Sequence, residues 1–114
     1  MSVDKSLLTG STTMLILKLL ESEDMYGYQM IEELNRKSNN VFELKAGTLY
    51  PLLHSLEQKE LLTSYEETVE KARVRKYYSI TPKGRKRLEE KREEWQEYTA
   101  AVNQVLGGAS FARA

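Results

Sequence analysis

The 114-residue chain has no cysteine, a single histidine and two prolines, and no apolar run in it approaches the roughly 18 residues that would suggest a membrane-crossing helix. Without cysteine there is neither a disulfide framework nor a thiolate metal site. With one histidine and neither a GxGxxG nor a GxSxG motif, the chain lacks the material for a nucleophile paired with a base, a metal cluster or a phosphate-cradling loop. Glu89, Glu90, Glu93 and Glu94 read as a charged helix face, not as a converging carboxylate pair. No enzyme activity, metal or cofactor is therefore expected. Nothing resembles a signal peptide, so a cytoplasmic location is expected.

Net charge is also missing, with 17 Lys and Arg against 17 Asp and Glu, but the balance is local. Residues 1–70 hold 6 basic against 12 acidic side chains, residues 71–92 hold 10 against 2, and residues 93–114 hold 1 against 3. The middle segment is strongly basic, and local potential, not total charge, attracts a polyanion.

What the sequence does contain is periodicity that changes at a clear point. Leu49, Leu52, Leu53 and Leu56 recur at i, i+3, i+4 and i+7, which predicts a helix with one buried stripe. Its opposite side carries Gly47, Tyr50, Pro51, His54, Ser55 and Gln58, a face almost without charge. A solvated helix face is usually filled with Lys and Glu, whereas one that reads base edges needs neutral donors, acceptors and small contact surfaces. Pro51 is tolerated only near a helix start, which places that start at Ala46 to Thr48, with the cap at or just before Thr48.

After Leu62 the period becomes two. Residues 63–69 and 73–80 alternate as two strands of a hairpin, with Arg73 and Arg75 on one face of the second strand. The connection around Glu70 to Ala72 has no Asn-Gly or Gly-Gly signal, so a loose tip is expected. Tyr77 and Tyr78 read as a pair that packs the wing on the core.

Three further helices frame this motif. One spans about Lys5 to Leu20, with an apolar surface wide enough for two partners, and a second runs from Tyr26 or Gly27 to just before Ser38, with Gly27, Met30, Ile31 and Leu34 on one buried stripe. The last is capped by Thr81 with Pro82 in its first turn and reaches about Leu106. Lys83, Arg85, Lys86 and Arg87 read as its solvated opening turns. The order is that of a winged helix-turn-helix, a mainly α fold with a small β-hairpin. The expected divisions are a DNA-binding domain over 1–80, a dimerisation helix over 81–106 and a flexible tail over 107–114.

The last helix carries a seam of its own. Leu88, Trp95 and Val102 lie seven apart, as do Tyr98 and Val105, offset by three from Trp95 and Val102. A chain this short offers only its first helix as an internal partner, so the seam predicts a homodimer. In it the last helix packs across a twofold axis against its copy and against the first helix of the other copy, with Leu8 joining Leu88, Trp95, Tyr98, Val102 and Val105 in the interface. Twofold symmetry then places two reading helices about one DNA turn apart, on an inverted-repeat operator.

The segments LTGSTTMLILKLL, YGYQMIEEL, GTLYPLLHSLE and ARVRKYYSITPKG, followed by the terminal helix with Trp95, resemble the PadR family of bacterial transcriptional regulators over nearly the whole chain. The resemblance implies a homodimeric winged-helix repressor. The single C-terminal helix is similar to the shorter subgroup, which includes multidrug-responsive repressors. There a tryptophan at the position of Trp95 faces its symmetry mate and sandwiches flat aromatic compounds. One departure is the wing run Lys71, Ala72, Arg73, Val74, Arg75, which lacks the glycine often found beside the arginines.

The expected DNA-binding residues are Lys45, Thr48, Tyr50, Pro51, His54, Arg73, Arg75 and Lys76. Thr48, Tyr50 and His54 would select bases, and the basic side chains would anchor phosphates. Trp95, with Met14 and Thr99, would hold a planar aromatic effector, although packing between two copies is an equally direct use for that tryptophan. The competing reading is a winged-helix protein-interaction module without an effector; its mark would be an acidic or apolar reading face, which this sequence does not have.

Overall fold

The computed structural model describes residues 5–107, and of residues 5, 6, 8 and 9 it describes the backbone alone. The side chain of Leu8 and most of the expected tail, from Gly108 onward, thus lie outside the described residues. Among the described residues, four helices and three strands follow in the order α1 (Lys5–Ser22), β1 (Met25–Tyr26), α2 (Gly27–Lys37), α3 (Ala46–Gln58), β2 (Leu62–Thr68), β3 (Val74–Ile80) and α4 (Pro82–Val105). This is a winged helix-turn-helix with a long C-terminal helix.

The core forms where the apolar stripes converge. Ile16, Leu17 and Leu20 from α1 meet Met30 and Leu34 from α2, and Leu49, Leu53 and Leu56 from α3 close the cluster from the far side. Three of the four leucines in the predicted stripe, Leu49, Leu53 and Leu56, are buried, and Leu52, at its margin, is half-buried.

The sheet is antiparallel with order β1-β3-β2, one strand more than the predicted hairpin. Met25 and Tyr26 pair with Tyr78 and Tyr77, and Leu62 to Thr68 pair in register with Ile80 to Val74. Tyr78 and Ile80 point into the core. Tyr77 points the other way, which corrects the expectation that both tyrosines pack inward. Period two separates neighbours to opposite faces, so adjacent residues could not both face the core.

The hairpin tip is closed, not loose. Arg73 N–H donates to the Glu70 carbonyl at 3.0 Å and Val69 N–H to the Arg73 carbonyl at 2.7 Å. Lys71 and Ala72 adopt φ of 51° and 63°, the left-handed sense of turn that matches strand twist, built here without glycine. Glu60 takes φ of 63° directly after α3, where Leu61 N–H reaches the Leu56 carbonyl and Glu60 N–H the Glu57 carbonyl, a Schellman closure.

The start of α4 matches its sequence signal. Thr81 Oγ1 accepts from Gly84 N–H at 2.9 Å while donating to the Glu60 and Leu61 carbonyls, and Pro82 occupies the first turn. Gly84 must be small, because a methyl group there would overlap the Leu61 carbonyl oxygen and lie 2.8 Å from Ile80 Cγ1. This contact anchors the long helix to the wing's base. Leu88, one turn further on, is 0% exposed within the single chain. It belongs to the core and not to an intermolecular seam; heptad spacing cannot distinguish the two kinds of burial.

Candidate nucleic-acid interface

The α3 surface opposite the leucines is solvent-facing and neutral. Thr48, Tyr50, Pro51 and His54 are exposed, and no charged residue occurs from Ala46 to Leu56. Lys45 is the N-cap, extended at φ −108° and ψ 154°, without a side-chain cap bond, and its exposed side chain lies at the end where a phosphate backbone would pass. The helix starts at Ala46, as expected. Pro51 nevertheless falls in the second turn, so it leaves the Gly47 carbonyl without an intrahelical donor, on a side open to water.

Tyr50 is 46% exposed because its ring divides its surface between solvent and α2. Its hydroxyl end lies on the backbone of Gly27, the first residue of α2. Sequence periodicity assigned Gly27 only to the buried stripe of its helix. The position of the ring on it was not legible there.

The wing is tied to α3 at its base. Ser64 Oγ on β2 donates to Glu57 Oε2 at 2.6 Å, and Lys76 Nζ on β3 lies 3.8 Å from Glu57 Oε1 and 5.5 Å from the centre of the Tyr78 ring. Lys76 thus faces the C-terminal end of the reading helix. It does not join the two arginines with which it was grouped.

Those arginines are themselves divided. Arg73 lies in the turn, exposed beside Lys71 at the tip, and not on the strand. Arg75 lies on the outer sheet face, its guanidinium 4.2 Å over the ring of Tyr26, the residue that precedes α2. A cation held over an aromatic face keeps its charge and loses conformational freedom, which prepares it for an anion. Tyr26 meets Tyr77 edge-on at 5.6 Å, and Tyr77 stacks on Tyr65 at 5.7 Å. Tyr65 donates to Asp24 Oδ2 at 2.7 Å, and that bond, with the carboxylate's charge, pushes its phenol up to about 12. Neither the aromatic cluster nor the Asp24 contact was visible in the sequence, because β1 is only two residues long and has no period to detect.

The second half of α4 is largely exposed. Trp95 is 42% exposed, Tyr98 60% and Val105 87%, with Trp95 and Tyr98 ring centres 6.3 Å apart. Leu7, Met14, Trp95 and Tyr98, flanked by Lys91 and Glu94, line an open cleft of about 420 Å³ between α1 and α4. Of the three expected effector residues, Trp95 and Met14 line it. Thr99 does not: its hydroxyl donates to the Trp95 carbonyl at 2.9 Å, along its own helix. Tyr98, Val102 and Val105 line a shallower distal groove of about 300 Å³. Arg87 and Glu90, and Glu89 and Arg92, form exposed pairs three residues apart, the solvated helix that the charge pattern suggests.

Among the described residues there is no group of three or more His, Asp or Glu that could hold a metal ion, and no helix long and apolar enough to cross a membrane.

Comparison with known proteins points one way. The model of the Transcriptional regulator PadR-like family matches residues 16–90. The chain is 38% identical to the Transcriptional regulator Rv3488 of Mycobacterium tuberculosis over 83% of its own length and 82% of that protein's. It is similar to the structure of a transcriptional regulator from Clostridium thermocellum, with a TM-score of 0.82, 32% identity and coverage of 88% of this chain and 97% of that one. A PadR-like transcriptional regulator from Bacillus cereus gives 0.77 and 30%, covering 90% and 97%.

Proposed function

Since this chain belongs to the PadR-like family of transcriptional regulators, we propose that it is a homodimeric repressor reading an inverted-repeat operator through α3 and the wing. The observation that carries this reading is the exposed, uncharged edge formed by Thr48, Tyr50, Pro51 and His54 on a helix whose other side is fully engaged in the core. That exposed edge supplies hydroxyls, an imidazole and an apolar ring, the groups that read base edges. Lys45, Arg73 and Arg75 supply phosphate contacts around it.

The dimer follows from what the single chain leaves uncovered. Trp95, Tyr98, Val102 and Val105 form an apolar stripe on a helix that its own fold does not bury, and a second copy related by a twofold axis covers it most economically. Two such chains would hold their reading helices roughly 34 Å apart, one turn of the duplex.

The cleft beside Trp95 then opens toward the symmetry axis. A flat aromatic compound entering it would change the relative tilt of the two winged domains. It could release DNA only through a difference in affinity between the two arrangements. Sedimentation of the chain at micromolar concentration, with and without a mixed-sequence duplex at low salt, tests the reading. Two copies that bind the duplex, more weakly as salt rises, are expected; a stable single copy that ignores duplexes would overturn it.

A further inference from the structure

We propose that Gly27 is a positioning residue for base selection, holding the ring of Tyr50 at a fixed place on the reading face; this rests on the repressor reading above. Gly27 is buried at the first position of α2. Its φ is not in the left-handed region, which among the described glycines only Gly107 occupies, so backbone conformation does not require glycine here. Space does. A methyl group on Gly27 would overlap the Tyr50 hydroxyl and lie 2.6 Å from its Cζ and 2.7 Å from its Cε1.

The three nearest atoms to that missing methyl all belong to one side chain, and that side chain stands on the face assigned to DNA. Nothing in the backbone at this first position of α2 calls for glycine, so what the missing side chain provides is contact with a residue of α3. The contact matters because an exposed tyrosine otherwise samples several rotamers, and ordering it costs affinity on binding. Resting on Gly27, the ring is ordered before DNA arrives. His54 lies at i+4 from Tyr50, so a displaced ring would move toward or away from the imidazole and alter both contacts together.

The role separates from simple packing in a double-mutant cycle. Base preferences are measured by competition between a selected duplex and its single-base variants, for the wild-type chain, Gly27→Ala, Tyr50→Ala and the double variant, with thermal unfolding and salt dependence recorded for each. Gly27→Ala is expected to change preference by about tenfold at the base pairs nearest Tyr50 and His54 only, with the salt slope unchanged. In the Tyr50→Ala background the same substitution is expected to change nothing further.

A folded Gly27→Ala chain with wild-type preferences would overturn the role, as would equal changes in both backgrounds. Should Gly27→Ala alone fail to fold, the comparison of Tyr50→Ala with the double variant decides: identical preferences support the role and different ones overturn it. A wild-type chain with no sequence preference would instead remove the repressor reading, and this role with it.

Discussion

Glu57 on α3 accepts a 2.6 Å hydrogen bond from the hydroxyl of Ser64 on β2, so the reading helix and the wing are joined by side chains as well as by sequence. The same carboxylate draws Lys76 of β3 to 3.8 Å, and both strands of the hairpin are thereby referenced to one point on the helix. Wing and helix should act on DNA as a unit.

Removing that point is expected to loosen the wing. A hydrogen bond to a charged group contributes on the order of 1.5–3 kcal/mol when well sheltered, and less at this half-buried site. Glu57→Ala should weaken duplex binding by about tenfold, whereas Glu57→Gln, which still accepts from Ser64, should lose much less. Fluorescence anisotropy on a labelled duplex checks the order of the three affinities.

The turns provide a stability test. Ala72 and Glu60 both sit at positive φ with a Cβ, which costs each about 1 kcal/mol or more relative to glycine. Part of that gain is offset by the freer unfolded chain, leaving about 0.5–1 kcal/mol. Ala72→Gly and Glu60→Gly should each raise the melting temperature by a few degrees. Calorimetry of the two single variants checks it, and a drop at Ala72 would contradict the turn geometry.

Tyr65 offers a pH signature. Its phenol is pushed up to about 12, first by the hydrogen bond to Asp24. The folded state therefore holds this proton more tightly than the unfolded one. The stabilisation is fully present below pH 10 and is lost as pH rises through about 12. In an ultraviolet titration of the seven tyrosines, the phenolates of Tyr65 and of Tyr78, whose phenol burial pushes up, should form late, and Asp24→Asn should bring only that of Tyr65 earlier.

Salt dependence distinguishes Arg73 and Arg75 from Lys76. Arg73 at the tip and Arg75 over Tyr26 are expected to anchor phosphates, so replacing either by alanine should lower the slope of log affinity against log salt by about one unit. Lys76 faces Glu57, so Lys76→Ala should leave the slope nearly unchanged. An unchanged slope for Arg75→Ala would remove it from the interface.

The elements that the sequence made legible are those with a strong period or an unambiguous cap. The α3 leucines, the Met30 and Leu34 stripe of α2, and the Thr81–Pro82 start of α4 stand where periodicity and capping put them. The neutral edge of α3 was readable because exposure follows from the leucine stripe.

What was not legible depends on contacts between distant segments. The two residues of β1 become a strand only because Tyr77 and Tyr78 lie alongside. The tip closes at Lys71 and Ala72 although neither is a usual turn residue, since strand twist and the backbone bonds of Glu70 and Arg73 override local preference. Leu88 shares the heptad register of Trp95 but is covered inside the chain. Lys76 and Arg75 are neighbours in sequence and face opposite sides of the sheet, a division that alternation alone could have revealed.

The central claim is that two copies hold two neutral-faced helices at the pitch of the double helix. Selection from a pool of random duplexes, performed at two salt concentrations and followed by the stoichiometry of the enriched complex, tests it most directly. Enrichment of an inverted repeat with half-sites centred about ten base pairs apart, bound by two chains, is the expected result. A single unsplit site bound by one chain, or no enrichment at either salt concentration, would contradict it.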